Sequence, residues 1–200
     1  IIINENQNIL MIRSFVNELK GKLETFRTLN NNEIRKLNDI AKKYNIKYQN
    51  KHKLDLVDEI LSNVDVIPNS IVLAQAAIES GWGKSRFAKE YNALFGEYTY
   101  DDSEGVIPLE RENGDTHLIK AFSSYSNSVE SYFDNINSHY AYEDFRDIRN
   151  IMRKRNNFSN VNLLVNKLST YAEDENYIKT IRQVIKTNNF EIFDQKTISY

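Results

Sequence analysis

The chain has 200 residues, 40 % of them hydrophobic, a formal net charge of -2 and no cysteine. That length and apolar content suffice for one medium domain, or for one domain with a small helical extension. The near-neutral charge supplies no global field for nucleic acid or an acidic membrane, and the lack of Cys excludes disulfides, thiolate metal sites and a Cys nucleophile. With only 6 glycines and 2 prolines, long regular segments are expected rather than many tight turns. No run is apolar and long enough to span a bilayer, and the opening "IIINENQN" lacks the basic and apolar regions of a signal peptide.

The N-terminal third reads as helices. In "NILMIRSFVNELKG" the apolar residues Ile9, Ile12, Phe15, Val16 and Leu19 recur at helical spacing, and Gly21 is the expected stop. Asn30 with Glu33 forms a capping-box pattern ahead of "IRKLNDIAKKY", whose apolar face is Ile34, Leu37, Ile40, Ala41 and Tyr44. A third amphipathic helix is expected in "KLDLVDEILSNV". "VIPNS" breaks the pattern: Pro68 is tolerated at a helix start, and Asn69 or Ser70 can cap the next helix. That helix, Ile71–Ser80, is apolar nearly all round, which marks it as the central buried helix.

The middle reads differently. "GVIPLERENGDTHLIKAF" places Asn113-Gly114 between two extended runs, a strong hairpin signal, and Pro108 confines the first run to a sheet edge. A two-residue loop would set Glu112 opposite Asp115, Arg111 opposite Thr116 and Glu110 opposite His117. The last third returns to helical spacing. Asn127 and Glu130 give a second capping-box pattern, opening "SVESYFDNINSH". "YEDFRDIRNIMRKR", "NVNLLVNKLSTYA" and "DENYIKTIRQVIKT" come after it. The fold class expected is α+β, mainly α, with one small β-hairpin inserted. The domain division expected is a helical extension over residues 1–65 packed on a catalytic domain over 66–200.

Chemistry concentrates at the end of the central helix. Gln75 and Glu79 are four apart and share a face. Glu79 falls in the last turn, where the helix dipole is negative, so burial and dipole both raise its pKa. A carboxylic acid kept protonated near neutral pH is what a general acid for glycosidic cleavage needs. The competing reading is a helix-end Glu that reaches solvent or pairs with Lys84 or Arg86. Trp82, the only tryptophan, lies between Gly81 and Gly83; it either stacks on a sugar or closes the core. Glu110 is a candidate second carboxylate to polarise a water or support an oxocarbenium-like transition state; alternatively it is a surface residue paired with His117. His52, His117 and His139 show no metal-ligand spacing, so no metal site is expected. The basic cluster Arg149–Arg155 reads as a solvated helix face, with contact to an anionic polymer as the minority reading.

Two separated motifs carry a resemblance. "AQAAIESGWGKSRFAKEYNALFG" resembles the catalytic-helix signature of bacterial peptidoglycan N-acetylglucosaminidases, glycoside hydrolase family seventy-three. "YAEDENYIKTI" is similar to that family's Y-A-T-D-x-x-Y segment, with Tyr171 and Tyr177 at the tyrosine positions. "VDVIPNS", "SRFA", "AFSS" and "NINSHYAYEDFR" resemble the Bax-type subgroup of bacterial envelope proteins, so the likeness runs from about Ile9 to Lys186. It implies a lysozyme-like fold, cleavage of the β-1,4 bond after N-acetylglucosamine, no cofactor and no metal. It implies peptidoglycan glycan strands as the partner, a periplasmic or envelope location and a monomer. By position, Glu79 matches the catalytic acid and Tyr171 a tyrosine lining the site. Glu110, in "PLERENG", matches the second carboxylate of flagellar-type members, and "FGEYTYDDSEGV" offers Glu97 or Glu104 in its place. Gln75, Trp82, Tyr91, Asn92, Phe95, Tyr125, Tyr132 and Tyr177 are the candidates for binding substrate. Two other readings stand beside hydrolysis: a lytic transglycosylase, and a non-catalytic envelope protein that binds glycan or a partner.

Overall fold

The computed structural model describes residues 1–108, 116–157, 160–172 and 174–196. Helix α1 (Ile2–Glu24) packs along α3 (Lys53–Asn63), with α2 (Asn31–Lys43) beside both. The first helix starts earlier than expected and runs through Gly21 rather than stopping there. A single glycine costs a helix only about 1 kcal/mol, and burial of Ile9, Val16 and Leu19 along the same helix outweighs it. The Asn30 capping box forms as its sequence requires: the Glu33 N–H donates to Asn30 Oδ1 at 3.0 Å, and the Asn30 N–H to Glu33 Oε2 at 2.9 Å.

Helix α4 (Asn69–Glu79) is the central helix, and most of its residues are buried. Its N-terminus is satisfied from far away in the chain. Pro68 occupies the cap position with no side chain to offer. Instead Asp194, in a closing 3-10 helix (Phe190–Lys196), accepts from the Ser70 N–H at 2.8 Å and from Ser70 Oγ at 2.6 Å. A carboxylate there meets both the orphan donors and the positive end of the dipole. Asn6 of α1 adds a second tie, donating to Ile67 O at 2.8 Å and accepting from the Ile67 N–H at 2.9 Å.

After the short α5 (Arg86–Tyr91) comes an antiparallel sheet of three strands, not a lone hairpin: β1 (Tyr98–Thr99), β2 (Gly105–Val106) and β3 (Leu118–Lys120), ordered β1-β3-β2. The strand β2 is an edge, as Pro108 just beyond it demands. The expected Asn113-Gly114 loop and its register fall on residues 109–115, outside the described residues. Nearby, Gly105 pairs with Lys120 and Val106 with Ile119, two residues out of step with a continuation of that register.

The C-terminal helices are α6 (Tyr125–Ser138), α7 (Glu143–Lys154), α8 (Val161–Val165) and α9 (Tyr177–Thr187), with a 3-10 turn (Tyr140–Tyr142) before α7. Ser124, not Asn127, caps α6 by accepting from the Asn127 N–H. Glu130 therefore stays out of the cap and pairs with Lys43 of α2 at 2.7 Å. The basic cluster does not lie wholly in solvent. Arg149 is completely buried and donates to the carbonyls of Asn63, Asp65 and Val66, while Arg153 grips the buried Asp65 carboxylate. Those bonds, with Arg13 donating to Leu61 O and Val64 O, satisfy the carbonyl end of α3. One continuous apolar core runs from Ile9 of α1 to Ile185 of α9.

Candidate active site

Glu79 ends α4, and the chain then reverses through three consecutive left-handed residues: Gly81 (φ +56°), Trp82 (φ +59°) and Gly83 (φ +71°). Only glycine adopts this conformation freely, so the two glycines carry most of the turn. The Trp82 N–H closes it on Ala77 O at 2.7 Å, and Ser80 Oγ accepts from the Gly83 N–H at 2.7 Å. The reversal leaves Glu79 half-buried at a cleft of about 1190 Å³, whose walls include Phe95, Gly96, Glu97, Tyr98, His117, Tyr142 and Tyr171.

Gly96 passes directly over the acid. A side-chain Cβ there would come within 3.9 Å of Glu79 Oε2. The other oxygen, Oε1, accepts a hydrogen bond from the Tyr177 hydroxyl at 2.7 Å. Among the described residues Glu79 has no cationic partner. Burial pushes its carboxyl above the usual range, and the Tyr177 bond offsets part of that rise.

Behind Glu79 lies a buried polar chain. The Tyr132 hydroxyl donates to Gln75 Oε1 at 2.6 Å, and Gln75 Nε2 donates to the Tyr177 oxygen at 3.0 Å. Gln75 and Tyr132 are both completely buried, so neither reaches a substrate, contrary to the binding role expected of them. Tyr177 is nearly buried and meets the cleft through Glu79. Phe95 and Tyr171 do line the cleft: Phe95 stacks on Tyr132 with ring centres 4.2 Å apart. Tyr171 donates to Phe95 O at 3.1 Å and stacks on Tyr177.

The remaining expected residues that the structure describes are not among those lining this cleft. Tyr91 and Asn92 tie the end of α5 to Phe122 through the Tyr91 carbonyl and the Asn92 side chain. Tyr125 opens α6 and is exposed. Trp82 is 56 % exposed, which excludes a core role, and it is not among the described residues that line the cleft. Glu110 lies outside the described residues. Glu104 is exposed and faces Lys120 at 3.8 Å.

Glu97 is different. It accepts from Ser131 Oγ at 2.8 Å through Oε2, while its buried Oε1 has no partner among the described residues. Burial pushes its carboxyl up to about 7. It lines the Glu79 cleft and also an adjoining polar recess of about 430 Å³, shared with Lys43, Lys120 and Asp134. Tyr142 and Asn135 also line both, and both belong to the "NINSHYAYEDFR" motif, which could have pointed to them.

The arrangement is one half-buried acid under a glycine in an aromatic-walled cleft, with a second, more buried carboxyl alongside. Comparison with known proteins identifies the family. The glucosaminidase family, described as mannosyl-glycoprotein endo-beta-N-acetylglucosaminidase, matches residues 54–190. Protein bax of Escherichia coli K12 is 35 % identical over 137 residues, 68 % of this chain and 48 % of that protein. The peptidoglycan hydrolase FlgJ of Escherichia coli K12 is 35 % identical over 92 residues, 41 % of this chain and 29 % of that protein. This chain thus spans about half or less of the curated relatives it matches. The catalytic domain of the autolysin Auto from Listeria monocytogenes shares the fold at a TM-score of 0.50 and 19 % identity, covering 90 % of this chain and 86 % of that one. With more than half of its length matched by the family and the site built on that matched segment, the chain belongs to the glucosaminidase family.

Proposed function

We propose that this protein hydrolyses bacterial peptidoglycan, cutting the β-1,4 bond after N-acetylglucosamine with Glu79 as the general acid. The observation that carries this reading is the state of Glu79. Its carboxyl is half-buried in an aromatic-walled cleft, held by one hydroxyl, without a cation among the described residues, and shifted toward the protonated form. In that form Glu79 gives its proton to the leaving glycosidic oxygen as the sugar gains positive charge. Tyr171 and Phe95 present the aromatic wall. Glu97 is the second carboxyl that the described cleft offers, and it supports the charged sugar when ionised. Glu110 remains the alternative for that role. The kinship with FlgJ, a peptidoglycan hydrolase by name, supports the choice of polymer. Under this reading the protein works as a monomer in the periplasm or cell envelope. Residues 1–65 form a helical extension that braces the catalytic domain 66–200 through contacts such as Asn6 to Ile67 and Asn69.

The test is turbidity clearing of purified peptidoglycan, with product masses. Wild type should clear and release N-acetylglucosamine reducing ends. Glu79→Gln should lose about a hundred- to ten-thousandfold in rate with no fall in its melting temperature. Equal clearing by both would remove Glu79 from the acid role, and anhydro products would make the enzyme a lytic transglycosylase. Glycan binding without clearing by wild type would leave a binding protein only.

A further inference from the structure

The polar chain behind Glu79 has a direction. Tyr132 is completely buried on α6, and among the described residues its hydroxyl has one acceptor, Gln75 Oε1 at 2.6 Å. A side-chain amide has an acceptor end and a donor end. If the Gln75 amide were reversed, Nε2 would face the Tyr132 oxygen and the Tyr132 proton would have no acceptor. An unsatisfied buried hydroxyl is costly, so the reversed amide is excluded. Gln75 Nε2 must therefore donate to Tyr177 at 3.0 Å. With that lone pair of its oxygen engaged, the Tyr177 hydroxyl proton is free to point along the remaining contact, to Glu79 Oε1 at 2.7 Å. A carboxylic acid whose Oε1 accepts a hydrogen bond carries its own proton on the other oxygen. Oε2 is the oxygen on the Gly96 side, and Gly96 is a wall of the cleft.

We infer that Gln75, oriented by Tyr132, is a positioning residue that keeps the proton of Glu79 on Oε2, facing the scissile bond, by forcing Tyr177 to donate to Oε1. The inference rests on the proposed role of Glu79 as general acid. It explains why a glutamine and a tyrosine out of reach of any substrate sit in the core one turn behind the acid. Without this control Glu79 can donate to the Tyr177 oxygen instead, and its proton then points away from the sugar. That arrangement also stabilises the neutral acid.

Releasing the control lowers kcat, because part of the protonated enzyme then holds its proton on the wrong oxygen. It also moves the alkaline limb of the kcat profile to higher pH, because neutral Glu79 gains a partner. Among the described residues the other titratable groups sharing the cleft are Glu97, Tyr98, His117, Tyr142 and Tyr171. All five stay intact when Tyr132, Gln75 or Glu79 is substituted.

The experiment measures kcat and KM against pH on soluble glycan fragments of peptidoglycan for wild type, Tyr132→Phe, Gln75→Met and Glu79→Gln. Tyr132→Phe keeps the ring that stacks on Phe95 and removes only the hydroxyl that orients the amide. Tyr132→Phe and Gln75→Met should each lower kcat about tenfold, less than loss of the acid itself, with KM unchanged and the alkaline limb raised. A kcat profile of Tyr132→Phe superimposable on wild type would overturn the inference. So would a uniform fall without displacement of the limb in both variants. If Glu79→Gln is inactive in the same assay, that failure belongs to the proton relay alone. If Glu79→Gln retains wild-type kcat, it is the acid assignment that fails.

Discussion

Asp65 and Glu79 stand at opposite ends of one short stretch of chain, and both carboxyls are withdrawn from water, yet they are built for opposite states. Asp65 is completely buried just ahead of α4. Burial alone would push it up, but the Arg153 hydrogen bond and the charges of Arg13, Arg149 and Arg153 overcome this and hold it below the usual carboxylate range. Glu79 ends α4 among tyrosines, with no guanidinium paired to it among the described residues. Burial dominates there and the carboxyl moves up. The same residue chemistry thus becomes an anchor where guanidinium groups converge and, under the proposed function, a proton donor where only a phenol does. Charge pairing, not burial, decides which.

Replacing each acid by its amide should therefore act in opposite directions. The largest effect is expected for Asp65→Asn. It leaves Arg13, Arg149 and Arg153 without their carboxylate, and loss of one partner from a buried ion cluster costs about 3–5 kcal/mol, to be read from urea unfolding at neutral pH. Because the folded pKa of Asp65 is depressed, its contribution is present above the unfolded pKa and lost as pH falls through the folded one. The Asn variant should lack that acid-side decline.

Glu97→Gln should act with the reverse sign. The folded pKa of about 7 lies above the ordinary 4.5, so wild type loses stability as pH rises between those values. At mildly alkaline pH the Gln variant should be the more stable by about 3 kcal/mol, and the difference should vanish in acid. Parallel urea curves for the two proteins at both pH extremes, with no change in their separation, would contradict this. Glu79→Gln should show a smaller gain of the same sign, since its carboxyl is less buried and already accepts the Tyr177 bond. If Glu79→Gln destabilised the fold as Asp65→Asn does, the contrast between anchor and donor would collapse.

Much of the site was legible along the chain because it is local. The apolar run through Ile71 and Val72, the Gln75–Glu79 spacing and the Gly81-Trp82-Gly83 reversal depend on residues within two turns of one another. So does the Asn30–Glu33 capping box. The two family-like motifs around Glu79 and Tyr171 carried the function. Trp82 was harder, since on its own an indole between two glycines reads first as a core residue, and only its exposure shows otherwise. The strand β1 was missed because two residues, Tyr98 and Thr99, are too short for any periodicity and owe their extension to pairing with β3.

The sequence by itself determined most of the longer helices, their buried faces, the family and the carboxylate at the end of α4, because hydrophobic spacing and capping act between near neighbours. Tertiary structure alone decided what surrounds that acid. Asp194 reaches the head of α4 from the far end of the chain. Arg149 turns from an apparent surface cluster into the core. Glu97, rather than Glu104, enters the cleft. Tyr132 and Tyr177 converge on Gln75 from separate helices. Each is a long-range polar pairing, and such pairings acquire their energy only after the apolar core has excluded water and brought the partners within hydrogen-bond distance.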